Sequence, residues 1–173
     1  MDGLSEESRL PWRAIRLFAM DVDGVLTDGR VGISSAEGEE IKFFSILDGL
    51  GLVGLPALGV AAAWISGRPS RATERRAAEL RIPHLIQSRT DKLAALQELA
   101  ASLKLDAAAC AYMGDDVIDA PAIAWSGIGI SVPGGMPAAL MAARYVTHRA
   151  AGFGAVREIC DHLQAAHRPP PAP

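Results

Sequence analysis

Residues 15–29 read IRLFAMDVDGVLTDG. An apolar run that ends at Met20 leads directly into two carboxylates, Asp21 and Asp23, and then into Gly24. A short apolar run closed by a turn residue predicts a strand buried on both faces, which is how strands of a parallel sheet read. Acids at the mouth of such a strand repel one another and gain nothing from the core, so the arrangement calls for solvent or for a positive charge.

The same pattern recurs down the chain. Apolar runs at 60–65, 84–87, 109–113 and 128–132 predict four more strands. Segments of helical character lie at 71–80, 92–103, 118–125, 137–143 and 153–166. In the second of these, Leu93, Leu96, Leu99 and Leu103 recur at three- and four-residue spacing, an apolar stripe suited to packing on a sheet. The alternation predicts an α/β fold: a three-layer, Rossmann-like parallel sheet flanked by helices. One segment breaks the rhythm. RVGISSAEGEEIKFF, from Arg30 to Phe44, holds two β-like pieces around a turn-rich centre and predicts a small β-hairpin at about 29–44, inserted after the first strand as a lid, an oligomer contact or a plain surface hairpin. The expected organisation is an N-terminal arm at 1–12, one domain at 13–166 and a Pro-rich tail at 167–173 that cannot be helical.

Composition narrows the function classes. At 173 residues, 50% hydrophobic and 21% charged, the chain suits a single globular domain with a substantial core. A net charge of -3 with scattered basic residues excludes a polyanion-binding surface, so no nucleic-acid partner is expected. No apolar window is long enough to span a bilayer, and the start MDGLSEESRLPW lacks an apolar leader core; no membrane partner and a cytoplasmic location are expected. Cys110 and Cys160 sit in apolar segments without ligand spacing and read as buried, reduced thiols.

In open parallel sheets, ligands bind beyond the carboxyl ends of the strands. Those ends carry Asp21 and Asp23, then Ser66-Gly67-Arg68, then Asp91-Lys92 ahead of the third strand's helix, then Gly114-Asp115-Asp116 with Asp119 further on. Asp21, Asp23 and Asp115 brought together are tolerable only with a divalent cation between them. Oxygen-only ligands favour Mg2+, which shares itself with phosphate. Ser66 and Lys92 would then supply a hydroxyl and a cation for the remaining phosphoryl oxygens. Within this set Asp21 reads as the nucleophile that takes up the phosphoryl group, and Asp23 as the acid and base that protonates the leaving alcohol and later deprotonates water. Gly24 allows the turn and exposes backbone N–H groups.

DVDGV, a Ser after the second strand, the Lys of TDKL, and GDDVID, in this order, resemble the haloacid dehalogenase superfamily of phosphohydrolases across residues 15–163. DVDGVLTDG, GEEIKFF, DGLG, ISGR, ERR, DKL, YMGDDVID and GAVREICD are similar to its capless branch acting on 3-deoxy-D-manno-octulosonate 8-phosphate in lipopolysaccharide sugar synthesis. The resemblance implies no cap domain, and a homotetramer in which hairpins form a central barrel and neighbours complete each site. It implies metal held by the Asp21 carboxylate, the Asp23 backbone carbonyl and Asp115, with Asp116 and Asp119 behind them, and Lys92 on the phosphoryl group. It also implies sugar-acid contacts from Ser45, Asp48, Gly49, Gly67, Arg68 and Arg76, an Arg being suited to a carboxylate. Three positions depart from the branch's pattern: Ser45 stands where Asn is usual, and Leu47 and Val53 where arginines are, which leaves open a nine-carbon sialic-type acid 9-phosphate as substrate. A receiver-like signalling domain shares the residue types but not their order, since Lys92 here precedes the second acidic cluster.

Overall fold

The computed structural model of the chain describes residues 10–35 and 40–168. Residues 1–9, residues 36–39 and the residues from 169 on, which include most of the expected arm, the expected turn-rich centre and the expected tail, lie outside the described residues. Strands β1 (Leu17–Met20), β4 (Ala61–Ile65), β5 (His84–Ile86), β6 (Cys110–Met113), β7 (Ile128–Ser131) and β8 (Tyr145–Val146) form one sheet in the order β5-β4-β1-β6-β7-β8. Every neighbouring pair is parallel. A separate antiparallel pair, β2 (Gly32–Ile33) and β3 (Glu40–Ile41), is the expected hairpin.

Alternation along β1 explains the layering. Phe18 and Met20 face a core built with Leu52 of helix α1 (Ile46–Val53), Ala77 of α2 (Arg71–Glu79) and Val156, Ile159 and Leu163 of α6 (Ala155–His167). Leu17 and Ala19 face the opposite core, closed by Leu96 and Leu99 of α3 (Lys92–Ser102), Ile123 of α4 (Ala120–Trp125) and Ala139 of α5 (Pro137–Ala142). All four β1 side chains are buried, as a central strand with helices on both faces requires. Both cysteines are buried and free.

The expected strands and helices appear within two residues at each end; three short 3-10 helices (Trp12–Ala14, Leu55–Leu58 and Ala107–Ala109), one α-helix and one strand were not anticipated. Helix α1, ILDGLGLV, holds two glycines in eight residues, which argues against a helix on propensity alone. Tertiary packing overrides it: a Cβ on Gly51 would lie 2.9 Å from Cys160 Cβ, so the glycine is what lets α6 approach. Strand β8 has only two residues and is defined by its pairing with β7 rather than by any apolar run. Trp12, read from the sequence as part of the arm, is buried and stacks on His162 at 4.9 Å.

Strand order reverses at β1: the chain steps outward to β4 and β5, then returns to place β6 on the other side. The crevice for a ligand in such a sheet opens at this reversal.

Candidate active site

Register brings the two acidic loops together. Met20 pairs with Met113, and the Asp21 N–H continues the ladder to the Met113 carbonyl at 2.9 Å, so the residues after β1 and β6 leave the sheet side by side. The first loop is a tight turn in which the Val25, Leu26 and Thr27 N–H groups all point to the Val22 carbonyl, anchored by buried Val22, Val25 and Leu26. Thr27 Oγ1, fully buried, accepts from the N–H groups of Gly24 and Gly29 at 3.4 and 3.2 Å. Gly24 has φ +92°, and a Cβ there would fall 2.1 Å from Asp115 Oδ2. A side chain at Gly24 would therefore be strained and would also displace the second loop's carboxylate.

Lys92, the first residue of α3, reaches inward with its side chain fully buried, its Nζ 2.5 Å from Asp21 Oδ1. It also donates to the Ile65 carbonyl at the end of β4 and lies 3.8 Å from Asp119 Oδ1. Asp119 is completely buried: Tyr112 Oη donates to its Oδ1 at 2.7 Å, and the Asp115 and Asp116 N–H groups donate to its Oδ2 at 3.2 and 3.1 Å. Asp119 thus shapes the Gly114–Asp116 turn with lone pairs already engaged, a supporting place behind the reacting groups.

Asp21, Asp115 and Asp119 each offer an oxygen within 4.8 Å of the others. Their proximity is electrostatically costly. Burial, then the Asp21, Asp119 and Asp116 charges, push the Asp115 carboxyl up to about 7. Burial lifts Asp21 to about 6, against the pull of Lys92 and with the push of Asp119. Asp115 Oδ1 is buried and has no hydrogen-bond partner, which a polar atom in a finished protein interior rarely lacks. A hard divalent cation fits this set: it would satisfy the orphaned oxygen, relieve the repulsion and match an all-oxygen donor list.

A cavity of about 200 Å³ opens over the cluster, lined by Asp21, Asp23, Ser66, Gly67, Arg68, Lys92, Asp115, Asp116 and Ile118. Four separate strand-end segments therefore meet as expected. Ser66 is buried, its Oγ accepting from the Arg68 N–H at 3.2 Å and donating to the Arg68 carbonyl at 3.0 Å. Arg68, on the rim, is paired to Glu40 Oε2 at 3.0 Å.

The remaining expected contacts lie elsewhere. Asp48 is buried beneath the start of α6, where its Oδ1 accepts from the Arg157 N–H at 2.7 Å; it caps a helix and does not line the cavity. Ser45 caps α1 through the Asp48 N–H at 3.4 Å. Gly49 is buried, and a Cβ there would meet the Arg76 guanidinium at 2.4 Å. Arg76, with its side chain 11% exposed, bonds the Ser45 carbonyl and Glu79 and lines a neighbouring cavity of about 330 Å³.

Lys42 escaped the sequence reading. Its Nζ, fully buried at the end of β3, lies 2.7 and 2.9 Å from the two oxygens of Asp23. The available signal was a lone lysine between Ile41 and Phe43: period-two alternation puts it on the face opposite theirs, and here the lysine is buried while Ile41 and Phe43 are 47% and 77% exposed.

The family model for haloacid dehalogenase-like hydrolases matches residues 79–159. The 3-deoxy-D-manno-octulosonate 8-phosphate phosphatase KdsC of Yersinia pestis is 44% identical over 152 residues, 88% of this chain and 81% of its own. The chain belongs to the haloacid dehalogenase-like hydrolases. Among solved haloacid dehalogenase-like structures, the Moraxella catarrhalis 3-deoxy-D-manno-octulosonate 8-phosphate phosphatase, crystallised with magnesium, phosphate and KDO, is 46% identical with a TM-score of 0.87, covering 90% of this chain and 88% of that one. The cobalt-bound deoxy-D-mannose-octulosonate 8-phosphate phosphatase of Haemophilus influenzae is 35% identical with a TM-score of 0.85, covering 90% and 91%. Membership excludes the receiver-like reading. Among the described residues no helix is long and apolar enough to cross a membrane.

Proposed function

We propose that this chain is a Mg2+-dependent phosphatase that hydrolyses 3-deoxy-D-manno-octulosonate 8-phosphate to the free sugar acid and phosphate. The observation that carries the reading is the convergence of Asp21, Lys92 and Asp115 around one small cavity, with Asp23 on its wall. The relatives' substrate supports the choice of sugar acid.

The Asp21 carboxylate attacks phosphorus, forming an acyl phosphate as the bond from phosphorus to the sugar oxygen breaks. Asp23 gives its proton to that oxygen. Water then attacks the phosphoryl group, Asp23 takes a proton from it, and phosphate leaves with Asp21 restored. Lys92 holds Asp21 in line and offsets negative charge gathered on the phosphoryl oxygens, with Ser66 beside it. Asp21, the Asp23 backbone carbonyl and Asp115 would hold a divalent cation, which would supply the charge neutralisation that lets an anion approach an anion.

Arg68 and Gly67 form the rim through which the sugar acid enters, and Ser45, Gly49 and Arg76 act one layer further out. The assembly is a homotetramer built on the hairpins. In its favour, Ile33, Ile41 and Phe43 are 77%, 47% and 77% exposed, an apolar surface that water alone covers poorly. The working compartment is the cytoplasm, where reduced thiols such as Cys110 and Cys160 persist.

The deciding experiment is phosphate release from matched eight-carbon and nine-carbon sugar-acid phosphates with Mg2+. A higher kcat/KM for the eight-carbon ester is expected. Preference for the nine-carbon ester would reassign the substrate and tie it to Leu47 and Val53.

A further inference from the structure

The two aspartates of the DVD segment each have a buried lysine of their own. Lys92, from α3, sits on Asp21; Lys42, from the hairpin, sits on Asp23. Neither lysine side chain has any exposed surface. A lysine is rarely sealed away without a task, because desolvating its ammonium is costly unless a carboxylate and further oxygens receive it. Lys42 has that company: Asp23 on one side, Thr73 Oγ1 at 3.4 Å on the other, and Glu40 Oε1 at 3.4 Å. Glu40 is itself held by Ser70 Oγ at 2.5 Å and by Arg68 at 3.0 Å. The hairpin base is thereby fastened to the start of α2 and to the wall of the acid-lined cavity.

We propose that Lys42 is a positioning residue for the proton-transfer step: the hairpin carries it to hold the Asp23 carboxylate at the leaving-group side of the cavity and apart from the Asp21–Asp115 cluster. This rests on the phosphatase reading above and extends it to the hairpin. The geometry supports it in two ways. Asp23 follows Asp21 by two residues and lines the same cavity, yet its carboxylate is not part of the Asp21–Asp115–Asp119 cluster. Both of its oxygens are instead within 3 Å of Lys42 Nζ, a contact across 19 residues of sequence that fixes the direction of a side chain with two free torsions. Proton delivery to a departing oxygen tolerates little error in placement, and a shift of ~1 Å in a reacting group costs ~100-fold in rate.

The consequence is selective, which separates positioning from mere stability. A sugar alkoxide is a poor leaving group and needs its proton during bond cleavage; p-nitrophenolate is a good one and does not. The quantity to measure is kcat/KM, which reports only the steps through departure of the leaving group, for the sugar-acid phosphate and for p-nitrophenyl phosphate, in the wild type, Lys42→Met, Lys42→Arg and Thr73→Val. Lys42→Met is expected to lose ~100-fold on the sugar ester and less than ~3-fold on the aryl ester. Lys42→Arg should recover part of that loss, and Thr73→Val, which frees the far side of Lys42, should move the ratio of the two substrates the same way by a smaller factor. The ratio cancels the folded fraction of each preparation, and Thr73→Val carries the test if Lys42→Met does not fold. A ratio unchanged from wild type in the variants that fold, whether both rates fall together or neither falls, overturns the proposal while leaving the phosphatase reading intact. A wild-type enzyme that releases no phosphate from either ester overturns the reading beneath it and the proposal with it.

Discussion

A Cβ placed on Gly24 would lie 2.1 Å from Asp115 Oδ2, closer than any non-bonded contact allows. The turn after β1 and the turn after β6 are thus fitted together with no atom to spare at the point where the acids meet. Gly24→Ala should strain a backbone at φ +92° and push Asp115 out of line at once. The expected outcome is a ~10–100-fold rise in the Mg2+ concentration for half-maximal activity, read from an activity titration with the metal.

The separate tasks proposed for Asp21 and Asp23 predict that the two should fail differently. Asp21→Asn removes the attacking oxygen and should lower phosphate release by ~10³-fold or more, with no acid-stable label trapped from a radiolabelled substrate on quenching. Asp23→Asn should still bind substrate. Near-wild-type turnover in both variants contradicts the assignment.

Asp115, pushed up to about 7, and Asp21, lifted to about 6, are raised above the ordinary carboxylate value of 3.8. A group with a raised folded-state value binds its proton more tightly folded than unfolded, so its contribution to stability is full below about pH 4 and is lost as pH climbs through 6 and 7. The metal-free protein should therefore melt at a lower temperature at pH 8 than at pH 5 by this contribution, and Asp115→Asn should flatten that slope. Mg2+ needs the ionised carboxylates, so its stabilising shift should be larger at pH 8. Thermal melts with EDTA and with Mg2+ at the two pH values check each sign.

Asp48 caps α6 from 109 residues away, and that role predicts a loss of stability. Asp48→Ala should cost ~1–2 kcal/mol by orphaning the first N–H groups of the helix, a fall of several degrees in the melting midpoint.

The exposed apolar face of the hairpin predicts that Phe43→Glu shifts the chain to a smaller species in light scattering at micromolar concentration. An unchanged mass would remove the hairpin from the assembly.

Much of the fold was legible because the central strands are apolar on both faces, and buried parallel strands announce themselves as runs: β1, β4, β6 and β7 stood out for that reason. The cavity was legible for a related one. Chemistry at strand ends shows in the polar residues that close each apolar run, and Asp21, Ser66, Lys92 and Asp115 do meet. What escaped depends on contacts distant in sequence. Helix α1 exists because Gly51 lets α6 come close, a fact written partly at Cys160. The bond from the Arg157 N–H to Asp48 joins residues 109 apart in sequence. Lys42 was hidden in a hairpin whose apolar side chains face outward, the reverse of the usual pattern.

The order of strands also sets a schedule for synthesis. The strand that leads into Asp21 sits mid-sheet, but its second neighbour, Cys110–Met113, is encoded some ninety residues downstream. While the chain emerges, β1 has one open edge and Asp21 has no facing acid. The enzyme's chemistry therefore cannot be assembled on a half-made chain, and a nascent polypeptide carries an unpaired central edge, the kind of surface chaperones shield, until the GDD turn has been translated.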